Sequence, residues 1–319
     1  MRTRFSRAVL AVALGVALTP LAGCGQIAGL KGKMAFKDAN AAYQGGDYRK
    51  AATKYEEALA QAPELTNIYF YLANSYDNLY KPARKGETEN DAFLNKALEN
   101  YKKAAELSED PKLKKLALEY LVATYRDKLE DPSQAEPVLQ QMIQMDPQDP
   151  TNYFALAKLY EDAGNYEQAE AMLVKARDAA PADPAVYMQL AGYYNRQGEF
   201  DKTIEALEAR AAKEPNNPEA YYTIATYYWD KAYRDFRLKD ADKRAYIEKG
   251  IEASDRALKI KDDYMEAMVY KGLLLRLAAN VEKDRTRQQA LLKEADSLRD
   301  KANALRKAKS GGAGAGAGD

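Results

Sequence analysis

The stretch YFALAKLYEDAGNYEQAEAMLVKARDAAP, Tyr153 to Pro181, returns 34 residues later as YMQLAGYYNRQGEFDKTIEALEARAAKEP, Tyr187 to Pro215. The two align without a gap. Tyr153 matches Tyr187 and Tyr221, Ala157 matches Ala191 and Ala225, Tyr160 matches Tyr194 and Tyr228, and Gly164 matches Gly198. Pro147, Pro181 and Pro215 keep the same interval. A fixed period of this size marks an array whose units bury their apolar faces against their neighbours.

Each position in the period has a physical task. Apolar residues recur at helical spacing in both halves, so each half is an amphipathic helix. Ala157, Ala191 and Ala225 are small where one helix must approach another closely. Gly164 and Gly198 sit at the turn, where a positive φ costs glycine little. Pro181 and Pro215 stop the second helix and open the next unit. The chain holds 24 tyrosines. Their rings supply apolar bulk while the hydroxyl reaches a wet edge, so Tyr153, Tyr160, Tyr194 and Tyr228 read as structural.

Tyr, Leu-Ala, Tyr, Gly, Ala and Pro at a period of 34 resemble the tetratricopeptide repeat. GDYRKAATKYEEALAQAP, from Gly46, carries the same signs, and diverged units surround it. The resemblance covers residues 34–308 in seven units: 34–65, 66–110, 111–149, 150–183, 184–217, 218–262 and 263–308. It implies an all-α, right-handed superhelical solenoid with a concave groove lined by the first helix of each unit. Unit three is about one residue longer in its turn than its neighbours. Units two, six and seven carry longer hairpins. Ala73 to Ala97 spans 24 residues and Ala225 to Gly250 spans 25, against 12 for Ala157 to Ala169. The unit-two insertion holds Pro82 and Gly86 and predicts a loop. The unit-six insertion has neither residue type and predicts longer helices. The extensions of units six and seven are expected to pack as a lobe, with Tyr233, Phe236 and Leu238 in or near it.

Before the repeats stands a different signal. MRTRFSR has three arginines and no acid, and Ala8 to Ala22 is apolar. A basic head, a short apolar run and small residues at its end form a secretory signal. The run falls short of the roughly 20 residues a membrane span needs. Leu21-Ala22-Gly23-Cys24 resembles the bacterial lipobox. That resemblance implies removal of residues 1–23 and a diacylglycerol on Cys24, the only cysteine. Buried acyl chains contribute about 0.8 kcal/mol per methylene. Residues 24–33 would then be a short tether, and the Gly/Ala-rich 309–319 a disordered tail. Gly25 stands where an aspartate would resemble an inner-membrane retention signal, which favours the periplasmic face of the outer membrane. GCGQIAG has the wrong spacing for a phosphate-binding glycine loop and follows no strand.

The chain has 48 cations and 48 anions, and the signal removes three cations. No basic footprint points to nucleic acid. Histidine is absent, which excludes imidazole bases and imidazole metal ligands. With Cys24 acylated, no thiol serves as nucleophile or zinc ligand. No cofactor or catalytic set stands out, so the chain reads as a non-enzyme.

The family resemblance places positions five and nine of each first helix in the groove. Position five holds Phe36, Phe70, Glu119, Phe154, Met188 and Tyr222. Position nine holds Asn40, Asn74, Ala123, Lys158, Gly192 and Thr226, and Trp229 lies at position twelve. The candidate groove residues are therefore Phe36, Asn40, Phe70, Asn74, Phe154, Lys158, Met188, Tyr222 and Trp229. Aromatics with amide neighbours suit an extended peptide or a guest helix; the alternative is that the same residues pack as core. Asn40 and Asn74 match the asparagines of a co-chaperone carboxylate clamp. Phe36, Glu119 and Ala123 replace its basic residues, so that function is not expected. The chain resembles tetratricopeptide lipoproteins that assist outer-membrane assembly, such as secretin pilotins, the accessory lipoprotein of the β-barrel assembly machine and adaptors of cell-wall enzymes. An envelope protein or peptide is the expected partner, with glycan or peptidoglycan binding as the alternative.

Overall fold

The structure is a computed structural model that describes residues 21–313, with side chains described from 28 to 308. Most of the expected signal peptide, the side chain of Cys24 and residues 314–319 lie outside the described residues. The described chain is all-α, a succession of helix hairpins without strands. Its helices are α1 Leu21–Gln44, α2 Tyr48–Gln61, α3 Ile68–Leu79, α4 Thr88–Leu107, α5 Pro111–Ala123, α6 Pro132–Met145 and α7 Pro150–Asp162. They continue with α8 Tyr166–Ala179, α9 Pro184–Arg196, α10 Phe200–Lys213, α11 Pro218–Arg234, α12 Asp240–Ile260, α13 Met265–Val281 and α14 Arg285–Ala313. Odd-numbered helices open the units and even-numbered helices close them. The chain forms two bodies that divide within α6, one up to Val138 and one from Leu139. In the first, α1 to α5 pack each on the next; in the second, α7 to α14 do the same.

Local chemistry sets the helix starts. Pro111, Pro150, Pro184 and Pro218 each occupy a first helical position, where the missing N–H is no loss. The residue before each proline caps the helix. The side chains of Asp110, Asp149, Asp183 and Asn217 accept from the backbone N–H of Lys112, Thr151, Ala185 and Glu219 at 2.9–3.0 Å. At the starts of units four and five a tyrosine ties the unit to the one before. The Tyr153 hydroxyl donates to the Pro147 carbonyl at 3.1 Å, and the Tyr187 hydroxyl donates to that of Pro181 at 2.9 Å. Ala157, Ala191 and Ala225 are buried at the helix contacts, as their size requires.

The turns follow the expected rule with one exception. Gly46, Gly164 and Gly198 have φ of 76–77°. In unit three the equivalent place belongs to Glu130, with φ 57°. The extra residue of that turn is wound into a π-turn over Thr124–Lys128, closed by the Leu129 N–H on the Thr124 carbonyl at 3.0 Å.

Both ends are more helical than the sequence suggested. Residues 24–33, read as a tether, belong to α1. No proline interrupts α1, and Gly32 is needed by the packing: a Cβ there would stand 2.5 Å from the Ala62 Cβ on the far side of the hairpin. The tail expected from 309 is helical up to Ala313. Extending a formed helix costs only about 1 kcal/mol per glycine.

The insertions obey their composition. In unit two, Pro82–Arg84 makes one short 3-10 turn before α4. Buried Asn90 fastens that loop, donating to the carbonyls of Lys81 and Arg84 at 3.1 and 3.0 Å and accepting from the Lys81 N–H at 2.8 Å. In unit six the extra residues lengthen both helices. α11 and α12 have 17 and 21 residues, against 13 and 14 in α9 and α10. The Arg244 guanidinium donates to the Val281 carbonyl, joining the extension to unit seven. The expected apolar lobe is corrected. Phe236 is 92% exposed and Tyr233 60%, because α11 ends at Arg234 and the reversal turns Phe236 outward.

Glu130 holds a left-handed backbone that costs an L-residue roughly 1–2 kcal/mol. Its exposed pairing with Lys85 at 3.4 Å offsets little of this. Glu130→Gly should therefore stabilise the protein by about 0.5–1 kcal/mol, read as a higher urea midpoint at unchanged slope. A lower midpoint would contradict the strain.

Candidate binding surfaces on the first helices

Two of the expected groove residues are core. Phe70 and Asn74 are each 5% exposed. The Phe70 ring lies 5.9 Å from that of Tyr101, 5.6 Å from Tyr120 and 5.5 Å from Tyr71. The Asn74 side chain accepts from the Tyr43 hydroxyl at 2.6 Å and donates to the Tyr101 hydroxyl at 3.3 Å. The same arrangement occurs one unit earlier. Phe36 lies 6.1 Å from Tyr55, whose hydroxyl donates to Asn40 at 2.7 Å. Phe36 and Asn40 are half-buried because α1 opens the first unit. These asparagines anchor tyrosines of the second helices. The Asn74 amide is committed inward at both its oxygen and its nitrogen, and the Asn40 oxygen is taken by Tyr55.

Among the half-buried rings of the first body, Tyr43, Tyr71 and Tyr120 stand on its three first helices. Tyr71 stacks on Tyr55 at 6.1 Å and meets Tyr43 edge-on at 6.2 Å, and Tyr120 leans on Tyr101 at 5.3 Å. α1, α3 and α5 thus share an aromatic wall braced by Phe70 and Tyr101. Sequence reasoning passed over Tyr71 and Tyr120, which directly follow position five. Their neighbours at that position, Phe70 and Glu119, drew the assignment instead.

In the second body the expected residues are spread out. Phe154 is half-buried on α7. Lys158 is exposed and pairs with Asp162, one turn on. Met188 is half-buried on α9, and its sulfur lies 3.0 Å from the Arg210 guanidinium. Tyr222 and Trp229 on α11 do come together, around a residue the sequence did not single out. Tyr270 of α13 lies 5.4 Å from Tyr222 and 5.6 Å from Trp229, edge-on to both. Asn195, Thr226, Tyr227, Asp230 and Arg234 complete a cleft of about 280 Å³ beside them.

Two of the larger clefts recur with the repeat. One, of about 340 Å³, is bounded by Gln140, Ile143, Tyr153 and Tyr160. The other, of about 420 Å³, is bounded by Glu208, Ala211, Tyr221 and Tyr228. The second set is the first set moved by two periods. The gap thus follows the packing of successive hairpins rather than a feature of one unit.

Burial raises the Tyr43, Tyr101 and Tyr222 phenols above their ordinary range, and those of Tyr194 and Tyr228 to about 12. These hydroxyls stay protonated at neutral pH; those of Tyr43 and Tyr194 donate to Asn74 and Glu170, and that of Tyr101 accepts from Asn74. Among the described residues no cluster of three metal-ligating side chains occurs, and no helix is long and apolar enough to cross a membrane.

The two phenylalanines should respond differently to truncation. Phe70→Ala should cost about 3–5 kcal/mol of stability, as for a filled core site. Phe154→Ala, half-buried, should cost less than about 2 kcal/mol. Chemical denaturation of both variants would show it; equal losses would place Phe154 in the core as well.

Comparison with known proteins agrees with this architecture. Family models described as tetratricopeptide repeats match residues 36–105, 128–193 and 184–227, together more than half of the chain. The C-terminal part of a TPR repeat-containing protein from Cytophaga hutchinsonii is 19% identical, with a TM-score of 0.53, covering 85% of this chain and 98% of that one. The crystal structure of MamA is 21% identical, with a TM-score of 0.40, covering 58% of this chain and 94% of that one. YrrB, described as a TPR protein with an unusual peptide-binding site, is 18% identical, with a TM-score of 0.38 and coverage of 58% and 88%. No curated protein matches. Identities this low speak to the fold alone, but the family models and the repeated hairpins agree: the chain belongs to the tetratricopeptide-repeat family.

Proposed function

We propose that this protein is a non-catalytic interaction scaffold of the bacterial cell envelope, which holds a partner polypeptide against the aromatic wall of its first body. The observation that carries the reading is the set Tyr43, Tyr71 and Tyr120. These rings are half-exposed on three successive first helices; Phe70 braces Tyr71 and Tyr120, Tyr101 braces Tyr120, and Tyr43 is held by Tyr71 and by its hydrogen bond to Asn74. Rigid aromatics lose little side-chain entropy on binding and dominate the energetics of many interfaces. Tetratricopeptide arrays are generally interaction scaffolds, and the absence of histidine removes imidazole as a general base.

The second half of the proposal is the anchor. The lipobox-like Leu21-Ala22-Gly23-Cys24 behind a basic and apolar leader supports acylation of Cys24 and attachment at the periplasmic face of the outer membrane. The continuity of α1 from Leu21 to Gln44 would then connect the acylated residue to the first hairpin through helix. An anchor of this kind would hold the aromatic wall near the bilayer.

Each half has its own test. Cys24→Ser should give a protein that lacks acyl mass and no longer fractionates with membranes; normal maturation of the variant would end the anchor proposal. Cross-linking in native membranes should recover a polypeptide partner with the wild-type chain. Tyr71→Ala combined with Tyr120→Ala should lower that recovery about tenfold or more, equivalent to at least 1.4 kcal/mol, with the fold intact by circular dichroism. Unchanged recovery would remove the wall from the binding surface.

A further inference from the structure

We propose that the cleft lined by Trp229 and Tyr270 in the second body, together with Tyr233 stacked on that Trp229, is a binding site for a neutral glycan, with a sugar ring stacked on the open face of Tyr233. The site needs neither the anchor nor the polypeptide partner, and every residue in it belongs to the second body.

The extended α11 builds the platform. Its added turn sets Tyr233 over Trp229, four residues earlier, with ring centres 5.0 Å apart and planes only 9° from parallel. Trp229 in turn abuts Tyr270 of α13, 5.6 Å away and perpendicular. Trp229 is thus held by its own helix and by the next unit. Tyr233 covers one face of the indole and leaves its own outer face to solvent, at 60% exposure. An aromatic ring this exposed adds little to the core. Its flat free surface suits the C–H face of a pyranose, because the ring's π-face is the negative pole of its quadrupole.

The groups around the platform select for hydroxyls. Arg234 and Asp230 lie side by side, with the Nε donating to a carboxylate oxygen at 2.6 Å. Together they offer a donor and an acceptor with no net charge, which matches vicinal hydroxyls that both donate and accept. Asn195 from α9, with Thr226 and Tyr227, adds uncharged polar atoms to the lining. The volume of about 280 Å³ is at the lower end for a small-ligand site. A strand-like peptide would call for a row of backbone partners, and a polyproline helix for a groove between open aromatic rings; here one ring face stands open, while Trp229 is packed against Tyr233 and Tyr270.

Trp229 is the only tryptophan in the chain, so its fluorescence reports on this cleft alone. Titration of the full chain with chitotetraose and with cellotetraose, both neutral, should give a saturable change in emission for at least one of them. That change should depend little on salt, because no net charge is neutralised. Tyr233→Ala should weaken the affinity about tenfold or more at an unchanged melting temperature, whereas Tyr233→Phe, which keeps the face, should stay within about twofold. Tyr71→Ala, in the other body, should bind the glycan like wild type even if it loses the polypeptide. No change with either glycan up to about 10 mM would overturn the proposal, as would equal binding by Tyr233→Ala. Saturation by poly-L-proline with neither glycan binding would make the cleft a polypeptide site and also overturn it.

Discussion

The structure rests on the close approach of paired helices at buried alanines. Ala157, Ala191 and Ala225 let first helices lie against their partners, and Ala169 and Ala176 do the same for a second helix. Two amphipathic helices joined by a short turn cannot cover their own apolar faces, so each hairpin needs the next. The caps follow from that need. Asp-Pro and Asn-Pro pairs restart the chain at fixed intervals, and tyrosine hydroxyls tie one helix start to the proline before it. A unit that lost its register would lose contacts on both sides.

Tyrosine resolves a conflict inside such an array. The spaces between hairpins are wide enough for an aromatic ring, yet they run out to the surface. A phenol fills the space and still ends in a hydrogen bond. In units one and two the bond goes to a buried or half-buried asparagine, Asn40 for Tyr55 and Asn74 for Tyr101. In unit five the Tyr194 hydroxyl donates to Glu170 at 2.9 Å, with Lys202 above the ring at 4.9 Å. One residue type thus serves as core, strut and surface according to what stands opposite its hydroxyl. This accounts for a tyrosine content that composition alone could only report.

Departures from the period create the individual features of the protein. The extra residue of unit three becomes a π-turn and forces Glu130 into a conformation its neighbours give to glycine. The insertion in unit six lengthens α11 by a turn and stacks Tyr233 on Trp229. In both cases the array keeps its contacts, and the added residues are left free to form something new. The two aromatic surfaces differ accordingly. The wall of Tyr43, Tyr71 and Tyr120 is made of ordinary repeat positions, whereas the stack of Tyr233 on Trp229 and the Arg234 side of the cleft depend on the added turn of α11.

Much of this was legible without coordinates. The 34-residue interval, the apolar spacing and the Gly and Pro punctuation determine helices, hairpins and unit boundaries, because helix periodicity and turn chemistry are local properties. The insertions in units two and six were readable for the same reason, down to the loop at Pro82 and Gly86 and the longer helices α11 and α12. Three matters were decided only by tertiary structure. Phe70 and Asn74 went to the core and Tyr71 and Tyr120 to the surface, although both sets lie on the apolar side of a first helix. Phe236, expected in a packed lobe, turned to solvent. Residues 24–33 became helix where Gly32 met Ala62. In each case the sequence by itself determined which way a helix face points to within a turn. Whether that face meets its partner helix, the next unit or water depends on neighbours distant in the chain, and no local pattern encodes their positions.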